Sequence, residues 1–349
     1  MIIRTRSFPR AALIGNPSDG YFGKTIAFVF GNYRANLMLY ETPELDLQPS
    51  FRDHTHFSSI EHLAKDVSTY GYYGGIRLLK ACIKRFYEYC CENNIKLDNR
   101  NFTIRYESDI PNRLGLAGSS AIITACVRAL KKFYDVKIPR SQLANLVLSV
   151  ETEELGISAG LQDRVAQAYN TPILMDFNRD KMERDGYGEY TPLEIPEDLN
   201  LFVAYRTDLS EGSEILHSRL REDYENGIPK VLDAIEEWKE LTIRSVQALE
   251  DKDYGSLIKC LNRNFDLRCE VCTTVSPKNK KMVELARATG ASAKFTGSGG
   301  AIIGTYEDDC MYERLVSNLS PFDIQVIKPE IVRGGRSASY NVNYDDGCL

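Results

Sequence analysis

The stretch PNRLGLAGSSA, residues 111–121, says more about the fold than any other part of the chain. A β-type run, Phe102 to Tyr106, precedes it. From Ala121 to Phe133, the apolar residues recur every three or four positions, a spacing that places them on one face of a helix. The sequence therefore predicts a strand, a glycine-rich loop and an amphipathic helix, in that order.

This loop has the composition of a phosphate-binding loop. Gly115 and Gly118 let the backbone turn tightly and approach an anion, and the N-terminus of the following helix favours negative charge. Ser119 and Ser120 add hydroxyl donors and a possible Mg²⁺ ligand. A plain connector in which Ser119 caps the helix has the same composition, so the loop alone leaves both interpretations open.

A second group of candidate residues is acidic. Glu151 precedes the segment AGLQDR, residues 159–164, which contains Asp163. Phosphoryl transfer needs a carboxylate near the attacking hydroxyl and oxygen ligands for Mg²⁺, and these two carboxylates can fill those roles. The alternatives are a solvated helix face that Glu151 shares with Glu153 and Glu154, and a helix cap at Asp163.

A third segment, KFTGSGGA at residues 294–301, is an apolar strand-like run interrupted by glycines. Such a loop can bring its backbone against a ligand, although a simple β-turn has the same pattern. The motif-bearing segments are therefore spread over most of the chain, and their order carries more information than any one of them.

Length predicts two domains, and the pattern of helices and strands in the second is that of an α+β domain. A chain of 349 residues exceeds what one hydrophobic core usually organises. Pro196, Glu197 and Asp198 precede the apolar run Leu201 to Tyr205, so we expect domains at residues 1–198 and 199–349.

Charge and cysteine content restrict the class of partner. The net charge of −6 argues against broad affinity for nucleic acid or an anionic membrane. The first thirty residues lack an uncharged apolar run, so we expect a cytoplasmic protein with reduced cysteines. Cys269 and Cys272 form an isolated CxxC pair, which is weak evidence for a metal site.

Taken in order, the three motifs resemble those of the GHMP kinases. The family's phosphate loop, its glycine shortly before a catalytic Asp and its C-terminal glycine turn all have counterparts here. One additional residue follows Pro111 before the Gly-Ser-Ser step, and another lies between Gly160 and Asp163. The segments at residues 15–19, 71–75, 159–167 and 264–268 resemble those of the family members that phosphorylate glucuronic acid.

The resemblance implies the two-domain GHMP kinase fold, with an N-terminal α+β phosphate-loop domain packed on a ferredoxin-like C-terminal domain. It implies ATP and Mg²⁺ as cofactors, Ser120 and Glu151 as metal ligands and Asp163 as the catalytic carboxylate. The residues expected to hold the ATP phosphates are Gly115, Leu116, Ala117, Gly118, Ser119 and Ser120.

The implied reaction converts glucuronic acid to glucuronic acid 1-phosphate. The expected substrate-binding residues are Asn16, Asp19, Arg164, Arg268, Gly297, Ser298 and Gly299. A guanidinium group matches the sugar carboxylate, so Arg164 and Arg268 are the candidates for it and Arg10 is a third. A kinase for galacturonate, fucose or a heptose, and a catalytically silent sugar and nucleotide sensor, remain alternatives. The sequence does not indicate the oligomeric state.

Overall fold

The computed structural model describes residues 1–50, 53, 58–59, 62, 74–112, 114–207, 214–272 and 275–334. Within these ranges the strands form three sheets of four strands each. Most of the predicted 71–75 motif and the polar C-terminal segment after Gly334 lie outside the described residues.

Two sheets belong to the N-terminal half. The first has the order β1-β4-β6-β5, and the second has the order β2-β3-β7-β8. The strands are β1 (Ile2–Ser7), β2 (Arg10–Ile14), β3 (Lys24–Val29), β4 (Ala35–Thr42), β5 (Asp46–Gln48), β6 (Asn101–Ser108), β7 (Ile173–Asp176) and β8 (Glu189–Pro192). Neighbouring strands are antiparallel except for β5 and β6, which are parallel.

The helix that follows the glycine-rich loop lies at the centre of this half. The helices are α1 (Gly75–Glu92), α2 (Gly118–Phe133), α3 (Arg140–Ser149), α4 (Leu161–Tyr169) and α5 (Arg179–Asp185). Every residue of α2 from Ser120 to Leu130 is buried, because strands β1 and β4 cover one side and α1, α3 and α4 cover the other. The predicted helix is confirmed, and burial extends beyond the face that carries Ile122, Cys126, Leu130 and Phe133.

The C-terminal half has ferredoxin-like topology. Its strands are β9 (Leu201–Arg206), β10 (Lys294–Phe295), β11 (Ala301–Thr305) and β12 (Ile324–Ile327), and its helices are α6 (Glu214–Glu225), α7 (Pro229–Glu250), α8 (Tyr254–Val271), α9 (Pro277–Arg287) and α10 (Asp309–Leu319). The antiparallel order β10-β11-β9-β12, with helices after β9 and β11, is the β-α-β-β-α-β arrangement. The predicted fold class is confirmed.

The two halves share one hydrophobic core. A single cluster of buried residues runs from strands β2 and β3 to helices α7 and α8, and it includes Phe28 and Trp238. A smaller cluster, with Phe202 and Phe265, lies on the other side of the third sheet. The change from the second sheet to the third falls between Pro192 and Leu201, and the boundary after Asp198 stays a prediction.

None of the helices in the described ranges combines the length and the apolar character that a bilayer crossing requires.

Gly304 on β11 tests the close packing of the C-terminal sheet. A Cβ atom at this position would lie 1.7 Å from the carbonyl oxygen of Ser292. We expect Gly304→Ala to lower the free energy of unfolding by about 1–3 kcal/mol, because the backbone must move to relieve the overlap. Gly255→Ala, within α8, is the matched control and should not destabilise. Equal thermal denaturation midpoints for the two variants would contradict this account.

Candidate active site

Two glycine-containing loops meet at the surface where the two halves of the chain join. Gly115 has a φ of +65°, which a side chain would strain, and a Cβ atom there would lie 3.0 Å from the carbonyl oxygen of Gly299. A Cβ atom on Gly297 would lie 2.8 Å from the carbonyl oxygen of Gly115. The phosphate-loop candidate therefore packs backbone to backbone against the turn at residues 297–299, and larger residues would separate them.

Three carbonyl groups of the first loop accept hydrogen bonds from other segments of the protein. Arg10 donates from Nη1 to the carbonyl oxygen of Gly115 at 3.3 Å and from its backbone N–H to that of Leu116 at 3.1 Å. Gln167 donates from Nε2 to the carbonyl oxygen of Ala117 at 2.9 Å. In a trans peptide unit the N–H points opposite to the C=O, so the N–H groups that follow these carbonyls point away from Arg10 and Gln167. Helix α2 begins there, and its N-terminus adds partial positive charge.

Asp163 lies between two guanidinium groups. It occupies the first turn of α4, which begins after the N-cap Gly160. Arg10 donates from Nε to Oδ1 of Asp163 at 2.7 Å, and Nη1 of Arg164 lies 3.2 Å from Oδ2. Arg10 also donates to the carbonyl oxygen of Thr296, next to the 297–299 turn. A carboxylate held in this way is fixed in position, half-buried and able to accept a hydrogen bond from a substrate hydroxyl.

Glu151 is fully buried, and its carboxylate is hydrogen-bonded on both oxygens. It belongs to a π-helical segment, Val150–Glu154, an irregularity that is frequent at functional sites. Arg164 donates from Nε to Oε2 at 2.8 Å, and Ser119 donates from Oγ to Oε1 at 2.6 Å. The hydroxyl of Ser120 instead donates to the carbonyl oxygen of Ala117 at 3.1 Å and is buried. The structure therefore brings Ser119, and not Ser120, to Glu151.

Arg164 does not fit the role of a substrate-carboxylate ligand. Its guanidinium pairs with Glu151, contacts Asp163 and donates from Nη1 to the carbonyl oxygen of Gly160 at 2.9 Å. Only 5% of the residue's surface is exposed. The guanidinium therefore has no pair of free N–H donors for a substrate carboxylate and does not face the cleft. We correct that expectation: Arg164 orients the two carboxylates of the site.

Asp19 is a second carboxylate beside Asp163. Its Oδ2 lies 3.2 Å from the position that a Cβ atom would take on Gly160, the N-cap of α4. Burial and the negative charge of Asp163 raise the pKa of Asp19 from 3.8 to about 7, although Arg10 opposes the shift. Asp19 is thus placed where it could contact a substrate bound near Asp163.

Asn16, which the sequence suggests as a substrate ligand, uses its side chain inside the protein. Its Nδ2 donates to the carbonyl oxygens of Phe295 at 3.3 Å and Gly297 at 3.4 Å, and its Oδ1 accepts from Nζ of Lys294. The residue is 3% exposed. We correct this expectation as well: the Asn16 side chain connects the N-terminal loop to the C-terminal half and is not available to a substrate.

Arg268 shapes the 297–299 turn. It donates from Nη1 to the carbonyl oxygen of Gly297 at 2.8 Å and from Nη2 to that of Ser298 at 3.1 Å, and its guanidinium lies 5.1 Å from the ring centroid of Phe295. Its Nε is buried and has no hydrogen-bond partner among the described residues. Gly297, Ser298 and Gly299 themselves remain half-exposed.

Sequence reasoning underestimated Arg10 and missed Gln167. Arg10 entered only as a third candidate for the sugar carboxylate, yet it connects Asp163, the glycine-rich loop and the segment before the 297–299 turn. The available signal was a charged residue directly before the apolar run Ala11 to Ile14, which lies within strand β2. Gln167 stands one turn after Asp163 on α4, and that spacing was the signal for a shared helix face.

Comparisons with known proteins agree with this geometry. Residues 77–171 match the model of the GHMP kinases N terminal domain, and residues 245–309 match that of the GHMP kinases C terminal domain. Glucuronokinase 1 of Arabidopsis thaliana is 41% identical over 86% of this chain and 84% of its own length. Probable glucuronokinase 2 of the same plant is 42% identical, with the same coverage of both chains.

Solved structures share the fold. Phosphomevalonate kinase of Streptococcus pneumoniae has a TM-score of 0.74 and 15% identity, covering 95% of this chain and 100% of that one. Galactokinase of Lactococcus lactis, solved with galactose, has a TM-score of 0.74 and 15% identity, covering 95% of this chain and 94% of that one. At this identity the likeness concerns the fold alone.

The raised pKa of Asp19 predicts a pH-dependent stability difference. Because the pKa of about 7 in the folded state exceeds the ordinary 3.8, the folded state binds this proton more tightly, and its stability falls as the pH rises from about 4 to about 7. Asp19→Asn removes the charge, so its melting temperature should match that of the wild type near pH 4 and exceed it at pH 8. A difference that does not change with pH would refute the raised pKa.

Proposed function

Since this chain belongs to the GHMP kinase family, we propose that it transfers the γ-phosphoryl group of ATP to the anomeric hydroxyl of D-glucuronic acid, giving glucuronic acid 1-phosphate and ADP. Identity to the two glucuronokinases over most of the chain supports the sugar. The observation that carries the chemistry is Asp163, held by Arg10 beside the glycine-rich loop, with Asp19 next to it. We further propose that the reaction takes place in the cytoplasm.

The mechanism assigns separate groups to the two substrates. The N–H groups of residues 116–118 and the N-terminus of α2 bind the ATP phosphates. Asp163 accepts the hydrogen bond of the anomeric hydroxyl, orients it for in-line attack and takes its proton as the new O–P bond forms and the bond between the γ-phosphorus and the bridging oxygen of ADP breaks. Arg10 holds Asp163 in place. The transition state of phosphoryl transfer is loose, so positioning and charge neutralisation supply most of the rate and the base a smaller part.

Mg²⁺ fits the oxygen donors at Glu151. Mg²⁺ prefers hard oxygen ligands, and Glu151 with a serine hydroxyl would supply them if the buried carboxylate, which is hydrogen-bonded on both oxygens, exchanged its bond from Ser119 for the ion. When bound, the ion neutralises charge on the phosphates. The sequence assigns the serine role to Ser120, whereas the observed contact favours Ser119, with Arg164 holding the carboxylate of Glu151 in a fixed orientation.

The sugar carboxylate needs a cationic partner, and we propose Arg268 for it. Arg268 is as deeply buried as Arg164, with 2% of its surface exposed, and its Nη groups bind the turn, so it would act on the sugar acid through its positive charge, which also acts on Asp19, and not through a direct hydrogen bond. Burial lowers the pKa of Arg268, so a bound anion would compensate for the lost hydration of this guanidinium group.

A sugar panel assayed by ADP release tests the function. We expect glucuronate to be preferred over glucose by more than about tenfold in kcat/KM, because a neutral sugar leaves the cation unpaired. Asp163→Asn is the catalytic control, and its turnover should fall by about a hundredfold or more with little change in ATP affinity. Preference for galacturonate, fucose or a heptose would replace the sugar assignment, and no sugar-dependent ADP release would indicate a silent sensor.

Single alanine variants of Ser119 and Ser120 separate the two candidate metal ligands. If Ser119 shares the ion with Glu151, Ser119→Ala should raise the Mg²⁺ concentration needed for half-maximal activity, and Ser120→Ala should not. Combining Ser119→Ala with Glu151→Gln should then give less than the sum of the single effects in free energy. If Ser120→Ala raised the required Mg²⁺ concentration and Ser119→Ala did not, Ser120 would be the metal ligand, as the sequence suggests.

A further inference from the structure

Lys294 is a buried lysine that the mechanism does not use. It opens strand β10 next to the 297–299 turn, and 1% of its surface is exposed. Its Nζ donates to the carbonyl oxygen of Ala12 at 2.8 Å and to Oδ1 of Asn16. Lysine is almost never fully buried without a compensating partner, so a buried amino group between two neutral oxygens calls for a specific role.

The charged groups that act on Lys294 come from several elements. Burial lowers its pKa well below the ordinary value, the positive charges of Arg268 on α8 and Arg10 on β2 lower it further, and Asp19 opposes the shift. A depressed pKa leaves more of the amino group neutral, which makes its burial less costly. The group therefore contributes through its position and its hydrogen bonds.

The partner of Lys294 belongs to a loop that the C-terminal half holds at several points. Asn264 on α8 donates from Nδ2 to the backbone carbonyl oxygen of Asn16 at 3.0 Å and accepts at Oδ1 from the backbone N–H of Gly15 at 2.8 Å. Nε1 of Trp238 donates to the carbonyl oxygen of Asn264 at 3.1 Å. Asp19 lies three residues after Asn16, so the position of its carboxylate depends on these bonds.

The hydrogen bonds from Lys294 to the described residues reach the segment at residues 12–16 and not the phosphate loop. The carbonyl groups of that loop are bound by Arg10 and Gln167, whereas both hydrogen bonds of Lys294 end on residues 12 and 16. Loss of the amino group should therefore disturb the loop that carries Asp19 more than the loop that receives ATP.

We propose that Lys294 is a positioning residue for the sugar: through Asn16 it sets the loop at residues 15–19 so that Asp19 faces the acceptor beside Asp163. This role rests on the proposed sugar kinase activity. Lys294, a residue of the glycine-rich C-terminal motif, then affects acceptor binding although its side chain is buried.

The test is a comparison of two Michaelis constants in Lys294→Met. Methionine keeps the apolar stem and removes the donor, which leaves the carbonyl oxygen of Ala12 and Oδ1 of Asn16 unsatisfied. We expect the KM for glucuronate to rise by at least about tenfold while the KM for ATP changes by less than about twofold. Thr305→Val is the matched control, because it removes the buried hydrogen bond between Thr305 and Ser292, 2.8 Å, on the neighbouring strand β11. It should lower thermal stability without this selective effect.

A double-mutant cycle with Asn16→Leu tests the route. If Lys294 acts through Asn16, the double variant should bind the sugar about as weakly as either single variant. Trp238 is the only tryptophan of the chain and contacts Asn264, so its fluorescence reports whether the network is intact and can follow sugar binding without ATP. If Lys294→Met does not fold, Asn16→Leu must show the same selective rise in sugar KM.

Two results would overturn the proposal. One is an equal rise of both Michaelis constants in Lys294→Met, and the other is simple additivity in the cycle. Failure of the underlying function is a different outcome, because the wild type would then release no ADP in response to glucuronate.

Discussion

The guanidinium group of Arg10 is the interaction on which the active site depends. It binds Asp163, the carbonyl oxygen of Gly115 and that of Thr296, so one side chain connects helix α4, the glycine-rich loop and the C-terminal half. A planar group with several donors in fixed directions can satisfy three partners at once, which a lysine could not do in this geometry. Because Arg10 is buried, these hydrogen bonds are shielded from water and define the distances between the three segments.

The rest of the site consists of buried polar side chains that connect distant segments. Gln167 joins α4 to the phosphate loop and to the carbonyl oxygen of Phe8, and Asn16, Lys294 and Asn264 join the N-terminal loop to the C-terminal half. A buried polar group that loses its partner is costly, so such a network tolerates only one arrangement. The halves share one hydrophobic core, and this network gives the interface its directional specificity.

Periodicity predicted the long helices well. The apolar spacing predicts long helices from Ile228 to Leu249 and from Tyr254 to Val271, and the structure has α7 at Pro229–Glu250 and α8 at Tyr254–Val271. Periodicity did not show that α3 ends at Ser149 and continues as a π-helical segment through Glu151, because that change does not alter the spacing of apolar residues. Strands β1 and β4 pair with each other, although the sequence analysis predicts neither, and the polar stretch near residues 185–194 contains strand β8, which pairs with β7.

The sequence by itself determined the class of fold, the order of the motifs and the identity of Asp163, Glu151 and the glycine-rich loop as candidates, because glycines, carboxylates and apolar spacing are local properties. Only the tertiary structure decided which side chains remain available to substrates. Arg10 and Asp163 stand far apart in the sequence, as do Asn16 and Lys294, and no local pattern relates them. Arg164 and Asn16 were candidate ligands because their side chains can bind an anion or a sugar. In the folded protein these side chains are buried, and their hydrogen bonds are made to other protein groups.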